Sequence, residues 1–362
     1  MAGQITHILV GEAALRGAAP AEAEAVLRSS GGYFRLGCQG PDIFYHNQRT
    51  MPSGLHYGAL AHRRDYGRVI EGGLESLPRD RLAPESPAVA YALGLATHAA
   101  VDRATHPFIV FYAGWADPAR PGTERFRACH PFFERLLDLA LLSHERGIDP
   151  SDFDMEKLMA PSSQESAQAD SDLVTLWAAG LRKAFPRSTG GDQLIEQRVA
   201  NALADARHFI RLTNPRRTAM LPGKGDWFTY LNERVGPRSV ALIYPDSLPA
   251  EIDIESLGRE GWEHPAGDGR SFSSTYLDLI GGARSEAETI LRRMLGDLAG
   301  GSIPDGLGEL IGNAGLSVND RDGRHVPPLL SRPLPLPELM DREYRVRLRW
   351  AQARSHRAGP PH

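Results

Sequence analysis

The chain has few cysteines that could cross-link it and no long apolar run that could anchor it in a membrane. Cys38 and Cys129 are the only cysteines in 362 residues, which is too few for a disulfide scaffold and suits a reducing compartment. No run reaches the roughly 18 apolar residues that a membrane span needs. The first residues, MAGQITHILVG, carry no basic leader. We therefore predict no secretory signal and expect a cytoplasmic protein.

An excess of charge of one sign is also missing. The sequence has 41 Lys and Arg against 45 Asp and Glu, a formal net charge of -4. A protein that coats nucleic acid or an anionic membrane through bulk charge would carry a clear basic excess. We therefore expect no stable nucleic-acid complex, while the sequence leaves the oligomeric state open.

Strand patterns are scarce. Alternating Val, Ile and Thr runs are almost absent, whereas Ala- and Leu-rich segments repeat with a period near 3.6 residues. This pattern predicts an all-α fold, a multi-helix bundle. The segments with this period, taken as helices, are 6–16, 21–29, 57–76, 86–105, 131–146, 171–185, 192–213 and 272–299.

The sequence divides into three regions. Residues 1–150 form the expected helical core, and 151–325 a helical extension that completes or covers a site in that core. Within the extension, 214–271 is rich in loop-forming residues. Residues 326–362 form a Pro- and Arg-rich tail, expected to be peripheral. Common site motifs are missing, since GKGDW at 223–227 lacks Walker spacing and no H-E-x-x-H occurs.

Histidines concentrate in the first region, where seven of the thirteen lie at or before residue 130. In GLATHAAVDRATHPF, His98, Asp102 and His106 follow one another at four-residue steps, so on a helix they drift by only about 40° per step. Imidazole and carboxylate one turn apart suit a shared Zn²⁺. Pro107 disfavours helical geometry at His106, so we expect that ring to turn away and serve a second ion.

A second spacing of this kind follows in CHPFFERLLDLAL. His130 and Glu134 lie one turn apart, and Pro131 suits the first position of a helix. We expect Asp138, one turn further on, to support the site rather than to bind metal.

The turn LGCQGPDIFYH places a carboxylate, Asp42, next to Gly40 and Pro41. Near metal ions a carboxylate on a rigid turn is suited to act as a general base or a bridging ligand. His7 lies on the apolar face of the first predicted helix, where a single histidine is more often a core residue.

Taken together, these motifs resemble the zinc-dependent phospholipase C family, which is related to the single-strand-specific zinc nucleases. The resemblance covers roughly residues 5–145. It rests on the order of five elements: His7, Gly-Pro-Asp at 40–42, a following histidine, His-x3-Asp-x3-His at 98–106 and His-x3-Glu at 130–134. The resemblance implies an all-helical fold with two or three zinc ions that hydrolyses a phosphodiester.

The resemblance also implies a role for each motif residue. His98 and Asp102 would bind the first zinc with a histidine that follows Asp42. His106, His130 and Glu134 would bind the second, and His7 with Asp102 the third. Asp42 would orient or deprotonate the attacking water. The candidates for the following histidine are His46, His56 and His62; the family's Gly-x3-His helix start favours His62, with His56 next.

Besides this ambiguous histidine, the sequence departs from the family in two further respects. It begins MAGQIT, whereas secreted members complete the third zinc site with an N-terminal tryptophan. The region after 145 also extends well beyond the family's core. The expected activity is phospholipase C-like hydrolysis, with a phospholipid headgroup as the first substrate to test. The alternatives are a zinc-dependent nuclease or nucleotide phosphohydrolase, and a non-catalytic helical protein with structural zinc.

Overall fold

A computed structural model describes residues 3–160, 166–220 and 227–357. The prediction of an all-α multi-helix fold is confirmed, since the described residues are mostly helical. Residues 223–226 of the GKGDW segment lie outside the described residues. In the first region the helices are α1 (Gln4–Ala18), α2 (Pro20–Gly37), α3 (Leu55–Arg63), α4 (Tyr66–Glu75), α5 (Pro87–Ala113) and α6 (Cys129–Arg146).

The remaining regions continue the helical pattern. Their helices are α7 (Met155–Leu158), α8 (Ser166–Ala184), α9 (Pro186–Thr189), α10 (Ile195–Thr213), α11 (Pro215–Thr218), α12 (Trp227–Val235), α13 (Ser239–Leu242), α14 (Tyr276–Ala299), α15 (Leu307–Ile311) and α16 (Leu336–Arg357). Short 3-10 turns connect several of them, at Gly40–Phe44, Arg79–Arg81, Glu124–Phe126, Pro150–Asp152 and Gly236–Arg238.

Two short strands form a hairpin in the segment expected to be loop-rich. Strands β1 (Trp262–Glu263) and β2 (Ser271–Phe272) are antiparallel, with Trp262 opposite Phe272 and Glu263 opposite Ser271. The Trp262 ring stacks on Phe272 and meets Phe108 of α5 edge to face. The hairpin is thereby attached to the helix at the centre of the fold.

Helix α5 lies at the centre of the packing, with α2 and α14 against it. Almost every residue of α5 is buried, which its long run of Ala, Leu, Val and Phe dictates. α1 packs against α2, α5, α6 and α14, and α8 against α4. The main hydrophobic core therefore takes residues from both the expected core and the expected extension.

Several predicted helix boundaries are wrong, including the end of the 86–105 segment, since α5 continues to Ala113. Segment 57–76 is two helices, α3 and α4, because Asp65 adopts a left-handed conformation (φ 58°) that interrupts the helix. α2 continues past Gly31 to Gly37, with a kink at Ser30. α6 begins at Cys129, so Pro131 is its third residue. The N–H groups of the first turn have no intrahelical acceptor, so a proline there costs no hydrogen bond.

The last helix is well anchored, although its segment was expected to be peripheral. Arg347 of α16 is fully buried and donates to the carbonyl oxygens of Thr218 and Tyr244, each at 2.8 Å. Leu336 is buried in the main core. Within the described ranges, no helix is long and apolar enough to cross a membrane.

Candidate metal centre

Helix α5 presents three of the candidate ligands, His98, Asp102 and His106. All are at most 2% exposed. The Oδ2 atom of Asp102 lies 3.0 Å from Nε2 of His98 and 3.7 Å from Nδ1 of His106. The expectation that Pro107 turns His106 away from the helix is wrong, because α5 continues through Pro107 to Ala113. Burial along almost the whole helix compensates for the backbone hydrogen bond that proline cannot make.

Asp42 approaches this row from the 3-10 turn Gly40–Phe44. Gly40 has a positive φ of 56°, and a Cβ there would lie 2.3 Å from the His98 ring. Only glycine permits both the backbone conformation and the close approach. This explains why Gly precedes Pro-Asp in the motif, and it places Asp42, 5% exposed, beside the ligand row.

His62 is the one of the three candidate histidines that reaches the cluster. Its Nε2 lies 2.9 Å from Oδ1 of Asp42 and 3.8 Å from Oδ2 of Asp102. His46 instead stacks on Phe209 with the ring centroids 4.0 Å apart, and His56 is exposed on α3.

His7 joins from α1, which packs against α5. Its Nε2 lies 3.3 Å from Oδ1 of Asp102, and its ring stacks on His98 at 4.2 Å. The side chain is 1% exposed, and burial lowers its pKa. Neither ring nitrogen has a hydrogen-bond partner among the described residues. A buried imidazole that lacks such partners is costly unless something else binds it.

Helix α6 supplies His130 and Glu134. Nε2 of His130 lies 2.7 Å from Oε1 of Glu134, and Nε2 of His106 lies 3.8 Å from the same oxygen. Glu134 is buried, whereas 30% of the His130 side chain is exposed. This end of the cluster is therefore the one nearest to solvent.

The structure brings all eight predicted site residues into one cluster. Their ligand atoms form three groups, each with all atoms within 4.8 Å of one another, and each group could hold a metal ion. The groups are His7, Asp42 and His98; His62, His98 and Asp102; and His106, His130 and Glu134. The second and third match the sets that the resemblance implies. In the first, His7 is grouped with Asp42 and His98 rather than with Asp102 alone.

Backbone carbonyl oxygens fix which ring nitrogen faces the cluster. The Nδ1 atoms of His62, His98 and His106 lie 2.8, 3.1 and 2.7 Å from single backbone oxygens. A carbonyl only accepts, so each Nδ1 carries a proton, and in the neutral ring each Nε2 presents a lone pair. The accepting residues are Gly58, Cys38 and Leu316. The motifs give no signal for them, because any residue type supplies a carbonyl.

With these tautomers, histidine nitrogens that carry a lone pair face carboxylate oxygens, so both atoms of each contact are hydrogen-bond acceptors. Nε2 of His98 meets a carboxylate oxygen of Asp102 at 3.0 Å, and Nε2 of His62 meets one of Asp42 at 2.9 Å. Two lone pairs in a buried site repel each other unless a cation or an added proton lies between them. The Nε2 atoms of His98 and His106 have no hydrogen-bond partner among the described residues. The donor set therefore fits bound cations.

The buried carboxylates keep their charge. Burial alone would raise the pKa of Asp102, yet His106 and His98 hold it well below its usual range. Burial also raises the pKa of Glu134, but neighbouring groups, among them His130, lower this pKa by more than burial raises it. Burial also opposes ionisation of Asp42, whose pKa the His62 ring lowers. Three buried carboxylates therefore need positive charge beside them, which either protonated imidazoles or bound cations supply.

Neither cysteine thiol belongs to a ligand group. Both side chains are fully buried, and burial raises the pKa of each to about 12. Cys38 contributes through its carbonyl oxygen instead, which accepts a hydrogen bond from His98.

Comparison of the chain with models of protein families, with curated proteins and with solved structures finds no match.

Proposed function

We propose that this chain is a zinc-dependent phosphodiester hydrolase of the phospholipase C type, with a phospholipid headgroup as its first candidate substrate. The observation that carries the proposal is the proximity of buried ligand groups. Oδ2 of Asp102, in the second group, lies 3.7 Å from Nδ1 of His106, in the third group. Ligand groups that adjoin in this way could hold metal ions close together, as hydrolysis of a phosphodiester by several metal ions requires.

The donor set favours zinc. Neutral imidazole and carboxylate are ligands that zinc binds well, and the Nε2 lone pairs are already directed at the cluster. When bound, zinc ions acidify a water molecule and neutralise the charge on phosphate oxygens. His98, Asp102 and His62 would hold one ion, and His106, His130 and Glu134 another.

Asp42 has the position of a general base. It is a buried, ionised carboxylate on a turn that Gly40 and the His98 ring fix in place. One oxygen, Oδ1, faces His62, which leaves Oδ2 to accept the proton of an attacking water. Its membership of the first ligand group also suits the alternative role of bridging ligand.

The burial of the cluster gives one argument for structural zinc, because structural sites are usually closed. Two features argue against it. Structural sites favour thiolates, and the cysteines of this chain are not in the groups. Eight clustered ligand residues also exceed the four that a structural site needs.

The test combines metal content with a substrate panel. Elemental mass spectrometry of the purified protein is expected to give two or three zinc ions per chain, fewer in His98→Ala and His130→Ala. His144→Ala is the matched control, because His144 is exposed on the same helix as His130. Hydrolysis is then measured on phosphatidylcholine, single-stranded DNA and a nucleotide diester.

The outcomes separate the candidate functions. Turnover of the lipid that is lost with zinc supports the phospholipase C assignment. Turnover of DNA or of the nucleotide alone replaces it with the nuclease or phosphohydrolase alternative. A single tightly bound zinc, or none after incubation with zinc, contradicts the proposal and favours a structural role.

A further inference from the structure

The main chain of Leu316 contacts two candidate ligand residues at once. Its N–H donates to the carbonyl oxygen of His62 at 2.7 Å, and its carbonyl oxygen accepts from Nδ1 of His106 at 2.7 Å. Leu316 itself is fully buried. It lies far outside the motif-bearing region, 210 residues after His106.

The segment 312–326, hereafter the 312–326 hairpin, holds Leu316 in place. Its first residues are bonded to the start of α4, where Gly67 donates to the Gly312 carbonyl and Asp65 to the Asn313 carbonyl. Across the hairpin, the N–H of Gly315 bonds the Gly323 carbonyl at 3.2 Å.

Asn319 fixes the hairpin on both sides of Leu316. Its side-chain amide donates to the carbonyl oxygens of Gly315 at 2.7 Å and Ser317 at 3.3 Å. Arg270, next to β2, in turn donates to the Asn319 carbonyl. Hydrogen bonds on both sides of Leu316 therefore set the direction of its carbonyl group.

The bond to His106 determines how that ring can bind metal. A proton held on Nδ1 leaves Nε2, the atom that faces Glu134, as the only lone pair. Loss of the acceptor would leave a buried N–H unpaired and allow the other tautomer. Removing the group that orients a ligating histidine typically weakens metal binding about 10–100-fold.

We propose that Leu316 is a positioning residue of the metal centre, and that the 312–326 hairpin is part of that centre rather than a separate cover over it. The hairpin acts on the group His106, His130 and Glu134 by fixing the tautomer of His106. The inference rests on the proposed function, since it presumes that this group binds zinc.

Two variants test the proposal. Asn319→Ala removes the amide that fixes the hairpin around Leu316. A second variant replaces the Leu316–Ser317 amide by an ester, which weakens the Leu316 carbonyl as an acceptor and leaves every side chain unchanged. Arg324→Ala is the control within the hairpin, because that side chain is 76% exposed and bonds the exposed Asp322.

Zinc affinity is measured by titration against a chelator, and the tautomer of His106 by nitrogen-15 NMR of the metal-free protein. In both test variants we expect one zinc ion to be released about tenfold more readily than in the unmodified protein. A second ion should be retained, because the rings of His62 and His98 are oriented by Gly58 and Cys38 instead. The His106 signal should shift towards a mixture of tautomers.

Unchanged zinc release and an unchanged His106 tautomer in the ester variant would overturn the inference, even if Asn319→Ala fails to fold. An equal effect of Arg324→Ala would also overturn it. Absence of zinc from the unmodified protein would instead be the failure of the proposed function, and that measurement comes first.

Discussion

Asp102 lies close to four histidines of the candidate metal centre. Its oxygens lie within 4 Å of nitrogens of His7, His62, His98 and His106. Asp102→Asn keeps the size of the side chain and removes its charge. We expect it to lose at least one zinc ion, as measured by elemental mass spectrometry, and to lower phosphodiester hydrolysis by roughly 10³-fold or more.

Asp205 provides a matched control for that substitution. It is also a buried aspartate, 2% exposed, and it accepts from Asn47, Arg49 and Thr50. Asp205→Asn should lower the free energy of unfolding by about 1–3 kcal/mol without changing the zinc content. Equal zinc loss in both variants would show that the effect of Asp102→Asn arises from general unfolding.

The two cysteines give a second prediction. Because burial raises the pKa of each thiol to about 12, the thiolate population at pH 8 is roughly 10³-fold below that of a free cysteine. Neither Cys38 nor Cys129 should react with iodoacetamide in the native protein, and both should react in urea. Mass spectrometry of the alkylated protein measures this, and rapid native alkylation of Cys38 would contradict its buried position beside α5.

The orientation of α1 depends on a residue of α6. Asp138 is fully buried and accepts from the backbone N–H groups of Ile5 at 3.1 Å and Thr6 at 2.7 Å. Gly3, the N-cap of α1, has no side chain to do so. Asp138 therefore caps α1, the helix that carries His7. A carboxylate at this position also interacts favourably with the positive end of the helix dipole.

Asp138→Asn should consequently affect the position of His7. We expect the free energy of unfolding to fall by about 1–3 kcal/mol, as measured by urea denaturation, together with weaker binding of the zinc ion nearest His7. Asp278→Asn is the control, because Asp278 takes part in the capping box of α14 at an exposed position. The control should retain full zinc content, and a loss of zinc there as large as in Asp138→Asn would count against a specific effect on His7.

The helices show which features could be predicted from sequence. The four-residue spacing on α5 was sufficient to place His98, Asp102 and His106 on one face, because a helix has a fixed period. The interruption at Asp65 carries no glycine or proline signal, so 57–76 was predicted as one helix. At Pro107 the local preference was outweighed by packing, which single-residue rules do not include.

The candidate site was predictable where side chains carry the chemistry. Helical spacing accounts for the contacts of His98 with Asp102 and of His130 with Glu134. The approach of His7, Asp42 and His62 was expected only from the family resemblance, because no local spacing brings residues of different elements together. The order along the chain left three histidines open after Asp42, and only the tertiary structure distinguishes His62. The carbonyl of Leu316 was beyond prediction, because a backbone acceptor has no residue-type signal and this one lies across the fold.

Across the whole molecule, one buried histidine outside the ligand groups links stability to pH. Nδ1 of His264 accepts from the N–H of Ala266 at 3.2 Å and from Arg270 at 3.1 Å. Burial, with the charge of Arg270, lowers the pKa of His264 to about 4, whereas in the unfolded chain it titrates near 6.5. Between these pH values the unfolded chain binds a proton that the native protein does not.

His264 should therefore make the protein less stable as pH falls from about 6.5 towards 4. We expect His264→Gln to reduce that loss by about 1–3 kcal/mol, as measured by urea denaturation of the metal-free protein across this range. His144→Gln, which changes an exposed histidine, is the control. Identical pH dependence in the protein with and without His264 would contradict the assigned cause.

The 210-residue separation between His106 and Leu316 has a consequence for biosynthesis. A ribosome makes every residue of the three ligand groups in the first 134 positions, long before it reaches Leu316. A nascent chain that captures a cation early does so with His106 free to use either nitrogen. At the proposed zinc site, correct loading of that ion would thus depend on synthesis of the segment around Leu316, and a chain whose translation stops before it would carry the candidate ligands without the bond that orients His106.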